Sequence, residues 1–312
     1  MPRCWVMGDA AIDVIEEGDS QLELPGGTGA NISVALSRLG VESALITKVG
    51  KDPQAAYLAE MLERESVDTR HIAYSEHHKT GIVRISLSDS GERTFTFMEE
   101  PSADSYLDSS DIPSFERGDW LCVSGFMLSQ HASREATFFA IDQAKAAGSV
   151  VCIDANMRID RWDDQSLLIP KTLEALKTAD IAKMSEDELL LLTDADSVEK
   201  GIEEVRRWPA RVKVITRAGK GAILLTGQDE FQIDGYSVPV VDMTGAGDAF
   251  IAAFVSKLIP VEDWSRAQLM DAIEFSNACG ALVVGKKGAM SALPDVATVN
   301  SFMAGNKSVC RH

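Results

Sequence analysis

Apolar residues recur along this chain in two rhythms, and their alternation predicts most of the architecture. Short apolar runs read as buried strands at Cys4 to Met7, Ser43 to Val49, Trp120 to Ser124, Ser149 to Asp154, Asp180 to Met184 and Val212 to Thr216. Between them lie stretches where apolar residues return every three or four positions, the spacing of a helix with one buried face. These are Ile32 to Leu39, Pro53 to Arg64, Ser133 to Ala147, Leu167 to Ala179 and Leu269 to Val284. Wholly apolar strands that alternate with helices predict a parallel sheet covered on both faces. Thr80 to Leu87 and Arg93 to Met98 break this rhythm. They alternate apolar and polar residues around Asp89-Ser90-Gly91-Glu92, the pattern of a β-hairpin with its turn. The segment Glu16 to Glu23 is acidic and carries little pattern.

Length and charge narrow the picture. With 312 residues the chain is long enough for one large α/β unit, and no linker, repeat or low-complexity tract divides it. The expectation is therefore a single domain over 1–312. A net charge of −18 argues against nucleic acid or an anionic membrane as partner, although helix N-termini and metal ions can still hold an anion locally. No apolar run is long enough for a membrane span. The five cysteines show no C-x-x-C spacing. An odd count without a signal peptide fits buried free thiols in a reducing cytoplasm.

The densest chemistry lies in Val240 to Val255, VVDMTGAGDAFIAAFV. Val240 and Val241 read as the end of a buried strand, Gly245-Ala246-Gly247 as a tight turn, and Phe250, Ile251, Phe254 and Val255 as one helix face. Such a turn leaves backbone N–H groups unpaired at a helix N-terminus, where an anion such as phosphate is the natural guest. Asp248 would then sit in the first turn, beside that anion and within reach of a substrate hydroxyl. A dinucleotide-binding turn needs Gly or Ala where this chain has Phe250. Upstream, Pro25-Gly26-Gly27-Thr28-Gly29-Ala30-Asn31 opens a helix, with Asn31 as its cap or as a ligand-binding residue. Asp9 and Asp13 lie just past the first strand, as turn caps or as acceptors for sugar hydroxyls.

The stretch Asp-x-Thr-Gly-Ala-Gly-Asp at 242–248 closely resembles the second signature of the ribokinase-like (PfkB) carbohydrate kinases, and Gly26-Gly27 with Ala30-Asn31 resembles the first. The run from Gly91 to Asp104 is similar to that of bacterial fructokinases and aminoimidazole riboside kinases. The resemblance covers essentially the whole chain. It implies a three-layer α/β/α sandwich with a mostly parallel sheet and a small β lid from about 10–27 and 79–107.

Roles follow from the same resemblance. Asp248 would be the general base, and Gly245, Ala246 and Gly247 the anion hole. Asp9, Asp13, Gly26, Gly27, Asn31, Phe97 and Arg158 would touch the sugar, with a salt bridge to Asp154 or Asp160 as the other reading of Arg158. ATP would be held by Lys183, Ser185, Glu188, Thr216, Gly219, Gly221, Gly247 and Asn277. Lys220 would neutralise phosphate or simply occupy an exposed turn. Glu188 would hold Mg²⁺ through water, although Ser185 and Glu188 also spell a helix capping box. A monovalent cation, K⁺, would sit at Asp242, Thr244, Val283, Lys286 and Gly288, with the adjacent Lys286 and Lys287 an unfavourable feature. The implied activity is phosphorylation of a sugar primary hydroxyl by ATP, with D-fructose as the expected substrate. Aminoimidazole riboside, another ribofuranoside, and a non-catalytic sensor on the same scaffold are the alternatives. A homodimer through the lid is also implied.

Overall fold

In strand β1 (Cys4–Met7) Cys4 and Val6 join one hydrophobic cluster while Trp5 and Met7 join another. That division is the whole fold in miniature, because a strand apolar on both faces must be covered on both. In the computed structural model, which describes residues 2–306 apart from 18, 19, 88–92, 228 and 262, β1 lies inside a nine-stranded sheet. The order is β13 (Asp229–Ile233), β12 (Ala222–Thr226), β11 (Val212–Thr216), β10 (Ile181–Ser185), β9 (Val150–Asp154), β8 (Trp120–Ser124), β1, β4 (Ser43–Gly50) and β5 (Ile72–Ser75). Neighbours from β11 to β5 pair in parallel, whereas β12 and β13 are antiparallel additions. One face is covered by α1 (Thr28–Arg38), α2 (Pro53–Arg64), α7 (Ala246–Leu258), α8 (Arg266–Val284) and α9 (Val296–Gly305). The other is covered by α3 (His131–Ala147), α4 (Leu168–Thr178), α5 (Glu186–Thr193) and α6 (Val198–Val205). This is the expected three-layer α/β/α sandwich.

The chain leaves β1 for β4 and β5 on one side, then returns to build β8 to β11 on the other. Strand order therefore reverses at β1, and the crevice beyond the carboxyl ends of β1 and β8 is where an open parallel sheet takes ligands. Two glycines bring α1 into that crevice. A Cβ on Gly8, just past β1, would lie 2.6 Å from the Cα of Gly29 in the first turn of α1. Only glycine at both positions lets strand end and helix start touch.

A second sheet of order β3 (Ser20–Gly26), β2 (Ala11–Glu17), β6 (Gly81–Leu87) and β7 (Arg93–Phe97) forms the expected lid. Its β6–β7 hairpin pairs from Val83 with Phe97 to Leu87 with Arg93. The expected turn at 89–92 lies outside the described residues. The stretch after Phe97 carries a short 3-10 turn at Ala103–Tyr106 instead of more strand.

Two expectations are corrected. The unpatterned acidic segment is strand at Glu16 and Glu17 and again from Ser20 to Glu23, with Glu16 opposite Gln21 and Val14 opposite Glu23 in the β2–β3 hairpin. β3 is an edge strand, and an edge needs no apolar alternation to pair. Val240 and Val241 are not the end of a buried strand: they are 64% and 59% exposed. Their segment is held by the end of α8, where the N–H groups of Val241 and Asp242 both donate to the carbonyl of Val284, at 2.7 and 3.1 Å. A loop carries the chain from β13 to α7, and the two valines open onto the crevice. β13, α6 and α9 are present without a matching expectation from the sequence pattern.

The Gly8–Gly29 contact generates a stability prediction. Gly8→Val forces backbone apart and is expected to cost about 2 kcal/mol or more, beyond ordinary overpacking because neither partner is a flexible side chain. The urea midpoint measures this, and an unchanged midpoint would refute the close approach.

Candidate active site

A cavity of about 850 Å³ opens at the carboxyl ends of the parallel strands, between the lid and the first turn of α7. Asp9 follows β1, Gly27, Thr28 and Asn31 start α1, Asp154 ends β9 and Asn156 follows it, and Lys183 is on β10. Val83 and Phe97 come from the lid, and Asp242 to Asp248 from the loop into α7. The topology thus gathers residues from both halves of the chain.

α7 begins with Gly245 at φ 79°, a left-handed conformation that turns the chain without Cβ strain. In this turn the Ala246 N–H makes one long bond to the carbonyl of Met243 (3.3 Å). Among the described residues the N–H groups of Gly245 and Gly247 have no partner, so the helix start offers the cavity open N–H groups, chemistry that suits an anion. Asp248 lies two residues further on, in the first turn. One carboxylate oxygen accepts from Asn31 Nδ2 at 2.8 Å, which ties α7 to α1. The other amide atom of Asn31, Oδ1, is buried with no partner among the described residues. Burial is the main force pushing the Asp248 carboxyl up to about 7. Asp154 and Asp9 push the same way, against the Asn31 bond and the Lys183 charge.

Asp154 and Lys183 are register partners on adjacent strands, and both are buried. Lys183 Nζ donates to both oxygens of Asp154 at 2.8 Å. Arg158, read from sequence as a possible partner of Asp154 or Asp160, pairs with neither among the described residues and lines the cavity. Its charge opposes the rise that burial imposes on the Asp9 carboxyl. Asp9 also accepts from Thr28 N at 3.0 Å. Ser185 and Glu188 form the capping box, and the second oxygen of Glu188 accepts from Met157 N at 2.7 Å. Those two N–H groups fix the carboxylate beside the Asp154–Lys183 pair while leaving lone pairs for a water-held divalent ion.

Phe97 and Phe126 form the apolar wall with Val83. Behind them lies buried Arg161, its guanidinium 4.2 Å from the Phe97 ring centre and 5.6 Å from that of Phe126, and ion-paired with Glu100. Asp104, after the lid, is buried and pushed up to about 6, chiefly by burial and then by Asp9. Sequence reasoning missed Phe126, Arg161 and Asp104. Only Phe126 left a signal, in following the Gly125 that ends β8.

Of the remaining expected residues, Asp13, Asp242 and Thr244 line the cavity and the others lie outside its wall. A Cβ on Gly26 would fall on the carboxylate of Asp13, which itself lines the cavity. Asp242 is 3% exposed and accepts from Thr244 N (3.0 Å), Thr244 Oγ1 (2.7 Å) and Gly288 N (2.7 Å). Those bonds bring the 242–244 loop against Gly288, with Val283 and Lys286 linked by an N–H to carbonyl bond of 3.0 Å. Thr216 bonds the carbonyl of Met184 (3.4 Å), Gly219 and Gly221 flank the turn after β11, and Lys220 is 3.8 Å from Glu186. Asn277, buried in α8, donates to the carbonyls of Ile233 and Asp234. The cavity wall includes none of these last five.

The chain matches the family model for pfkB family carbohydrate kinases over residues 2–296. Fructokinase of Vibrio alginolyticus is 39% identical over 296 residues, 94% of this chain and 96% of that protein. Aminoimidazole riboside kinase of Salmonella typhimurium is 33% identical over 307 residues, 98% and 96% of the two chains. A solved double-mutant fructokinase of Vibrio cholerae O395, in its fructose-, ADP- and potassium-bound form, has a TM-score of 0.92 at 40% identity, covering 97% of this chain and 98% of that one. This chain belongs to the pfkB family of carbohydrate kinases. It is a sugar kinase with the ribokinase-like fold, and no helix among the described residues is long and apolar enough to cross a membrane.

The raised Asp248 carboxyl has a thermodynamic consequence with a definite sign. In the unfolded chain this group ionises near 3.8, in the folded one near 7. Its contribution to stability is present below the lower value and lost as pH rises through the upper one. Asp248→Asn has no proton to lose. Its melting temperature is therefore expected to match the wild type at acid pH and to exceed it by a few degrees above pH 7. Equal melting temperatures across that window would show that the group is not perturbed.

Proposed function

We propose that this kinase transfers the γ-phosphoryl group of ATP to the primary hydroxyl of a furanose, with D-fructose as substrate and D-fructose 6-phosphate as product. The observation that carries the reading is the Asn31–Asp248 hydrogen bond at the open N-terminus of α7, inside a cavity large enough for a sugar and the end of a nucleotide. Fructokinases at 37–39% identity over 94% of the chain, one solved relative with fructose and ADP bound, support the substrate.

Asp9, Asp13, Gly27, Asn31 and Arg158 orient the sugar, and Phe97 packs on its apolar face. Asp248 accepts the proton of the primary hydroxyl as that oxygen forms its bond to phosphorus and the bond to the β-phosphate oxygen breaks. A base with a carboxyl near 7 is matched to this task at neutral pH. The N–H groups of Gly245, Ala246 and Gly247 accept the charge that develops on the moving phosphoryl oxygens. Glu188 would hold Mg²⁺ through water, and Asp242 with the carbonyls of Thr244, Val283, Lys286 and Gly288 would hold K⁺. When bound, these ions neutralise phosphate charge and steady the anion-binding turn. Ser185, Thr216, Gly219, Gly221 and Asn277 are assigned to the nucleotide side. Four buried free thiols, Cys4, Cys122, Cys152 and Cys279, fit a cytoplasmic enzyme. A homodimer through the lid belongs to the same reading, with Leu22 on β3 exposed for it.

Aminoimidazole riboside is the second candidate, supported by the apolar Val83–Phe97–Phe126 wall and the 33% identical relative. An ADP-release assay over fructose, ribose, glucose, tagatose and ribosides, with and without K⁺, separates the two. Fructose should give the highest kcat/KM and K⁺ should raise it. A riboside ahead of fructose overturns the substrate assignment, and no sugar-dependent ADP release overturns the activity. Asp248→Asn should lower kcat by several orders of magnitude with ATP affinity nearly intact. Asn31→Ala removes a bond that lowers the Asp248 carboxyl, so the acidic limb of kcat/KM, expected near pH 7, should move to higher pH. An unmoved limb would exclude Asp248 as the titrating base.

A further inference from the structure

The lid and the body of the protein meet at one aromatic ring. Phe97 ends β7 and packs on two clusters at once: the lid's own Ala11, Ile15, Val83 and Ile85, and the body cluster that holds Phe126. The ring also lines the cavity, so its position sets where that wall stands. Glu100 lies three residues on, at the exit from the lid. Arg161 comes from the body. It closes the 3-10 turn Ile159–Arg161 after β9, where its N–H donates to the carbonyl of Arg158 at 3.0 Å. Its guanidinium lies 4.2 Å from the centre of the Phe97 ring, and its Nη1 is ion-paired with Glu100. One side chain of the body thus grips the lid at two points, a ring face and a carboxylate.

An arginine is an unfavourable filler for that place. The side chain is 4% exposed, and a guanidinium has five N–H donors. Among the described residues only Glu100 accepts from it, and Nε is buried with no partner. An apolar residue of similar size would fill such a site as well or better. What the guanidinium adds is a flat, rigid surface that stacks on an aromatic face, and a charge through which a carboxylate can hold it there. Phe126, the other ring of the cavity wall, is 5.6 Å away. The two rings therefore share one charged backing, and the lid ring cannot recede from the cavity without breaking its contacts.

We propose that Arg161 is a specificity-determining positioning residue: stacked behind Phe97 and anchored by Glu100, it fixes how far the aromatic wall stands into the sugar site, so that the wall fits a free furanose closely and leaves no added room for a furanose carrying a ring substituent. This rests on the kinase reading above, with Phe97 facing the sugar. No step of the phosphoryl transfer runs through Arg161. It acts on binding through Phe97, and its effect belongs in KM for the sugar.

Kinetics of two variants on two substrates test this. Arg161→Leu keeps an apolar filler and loses both points of grip. KM for fructose should rise about tenfold or more, the scale of one apolar contact in a pocket, with kcat within about threefold of wild type. For aminoimidazole riboside kcat/KM should fall by less than about threefold, so the riboside-to-fructose ratio moves toward the riboside whichever substrate the wild type prefers. Arg161 also opposes the rise of the buried Asp104 carboxyl, so its removal can unsettle the fold. Glu100→Gln avoids this, because Glu100 is 53% exposed and the guanidinium stays in place. It removes only the anchor and should move the ratio the same way by about threefold. Equal losses on both substrates, or a loss carried by kcat, would overturn the proposal and leave the pair as a structural tie. Absence of ADP release with either substrate in the wild type would instead remove the kinase reading beneath it.

Discussion

Parallel strands that end together carry their polar residues to one place, and here that place collects negative charge. Asp9 after β1, Asp154 at the end of β9 and Asp248 in α7 act on one another across a single cavity. A chain with a net charge of −18 offers little relief from elsewhere. Each buried carboxylate must be bonded, paired or protonated. Asp9 takes a main-chain N–H, Asp154 takes Lys183, and Asp248 takes Asn31 while its carboxyl climbs to about 7. The crowding that would be a liability in a core gives a carboxyl suited to the proposed role of base at neutral pH.

The phosphate of the proposed reaction cannot be drawn in by a basic surface, and the proposal relies instead on main-chain dipoles. The first turn of α7 faces the cavity with N–H groups free of helix partners, and the close packing of α1 on α7 through Asn31 and Asp248 keeps the proposed base and that turn in fixed relation. The lid supplies what the sheet lacks, an apolar wall of Val83 and Phe97 backed by the stacked guanidinium of Arg161. Exposed Val240, Val241 and Met243 face the same opening from the other side. Apolar surface left uncovered at a cavity mouth marks a place where a ligand or a moving element completes the packing.

Local rules made much of this legible in the sequence. A glycine-rich turn before a helical pattern is decided by a few adjacent residues, so Gly26-Gly27 and Gly245-Ala246-Gly247 could be placed without knowing the fold. The alternation of buried strands with amphipathic helices predicted the layers, and the capping box of Ser185 and Glu188 was spelled out in four letters. What depended on distant partners was not legible. Val240 and Val241 have strand composition, but the end of α8, not a neighbouring strand, takes the backbone bond of Val241. Ser20 to Glu23 lacks alternation, yet pairs because an edge strand needs only a partner backbone. Lys183 was assigned to the nucleotide by resemblance. Its pairing with Asp154 follows from strand register, which no local pattern encodes. Arg161 carries no motif, Asp104 only closes the run that resembles the fructokinases without a role of its own, and the burial of both emerges only once the lid is folded.

The most direct test is a crystal structure of this protein with fructose and a non-hydrolysable ATP analogue. The account predicts the sugar in the cavity beneath the lid, its primary hydroxyl about 2.6–3.2 Å from a carboxylate oxygen of Asp248, and the terminal phosphate over the first turn of α7. A sugar bound with that hydroxyl turned away from Asp248, or a terminal phosphate seated away from Gly245 to Gly247, would contradict it.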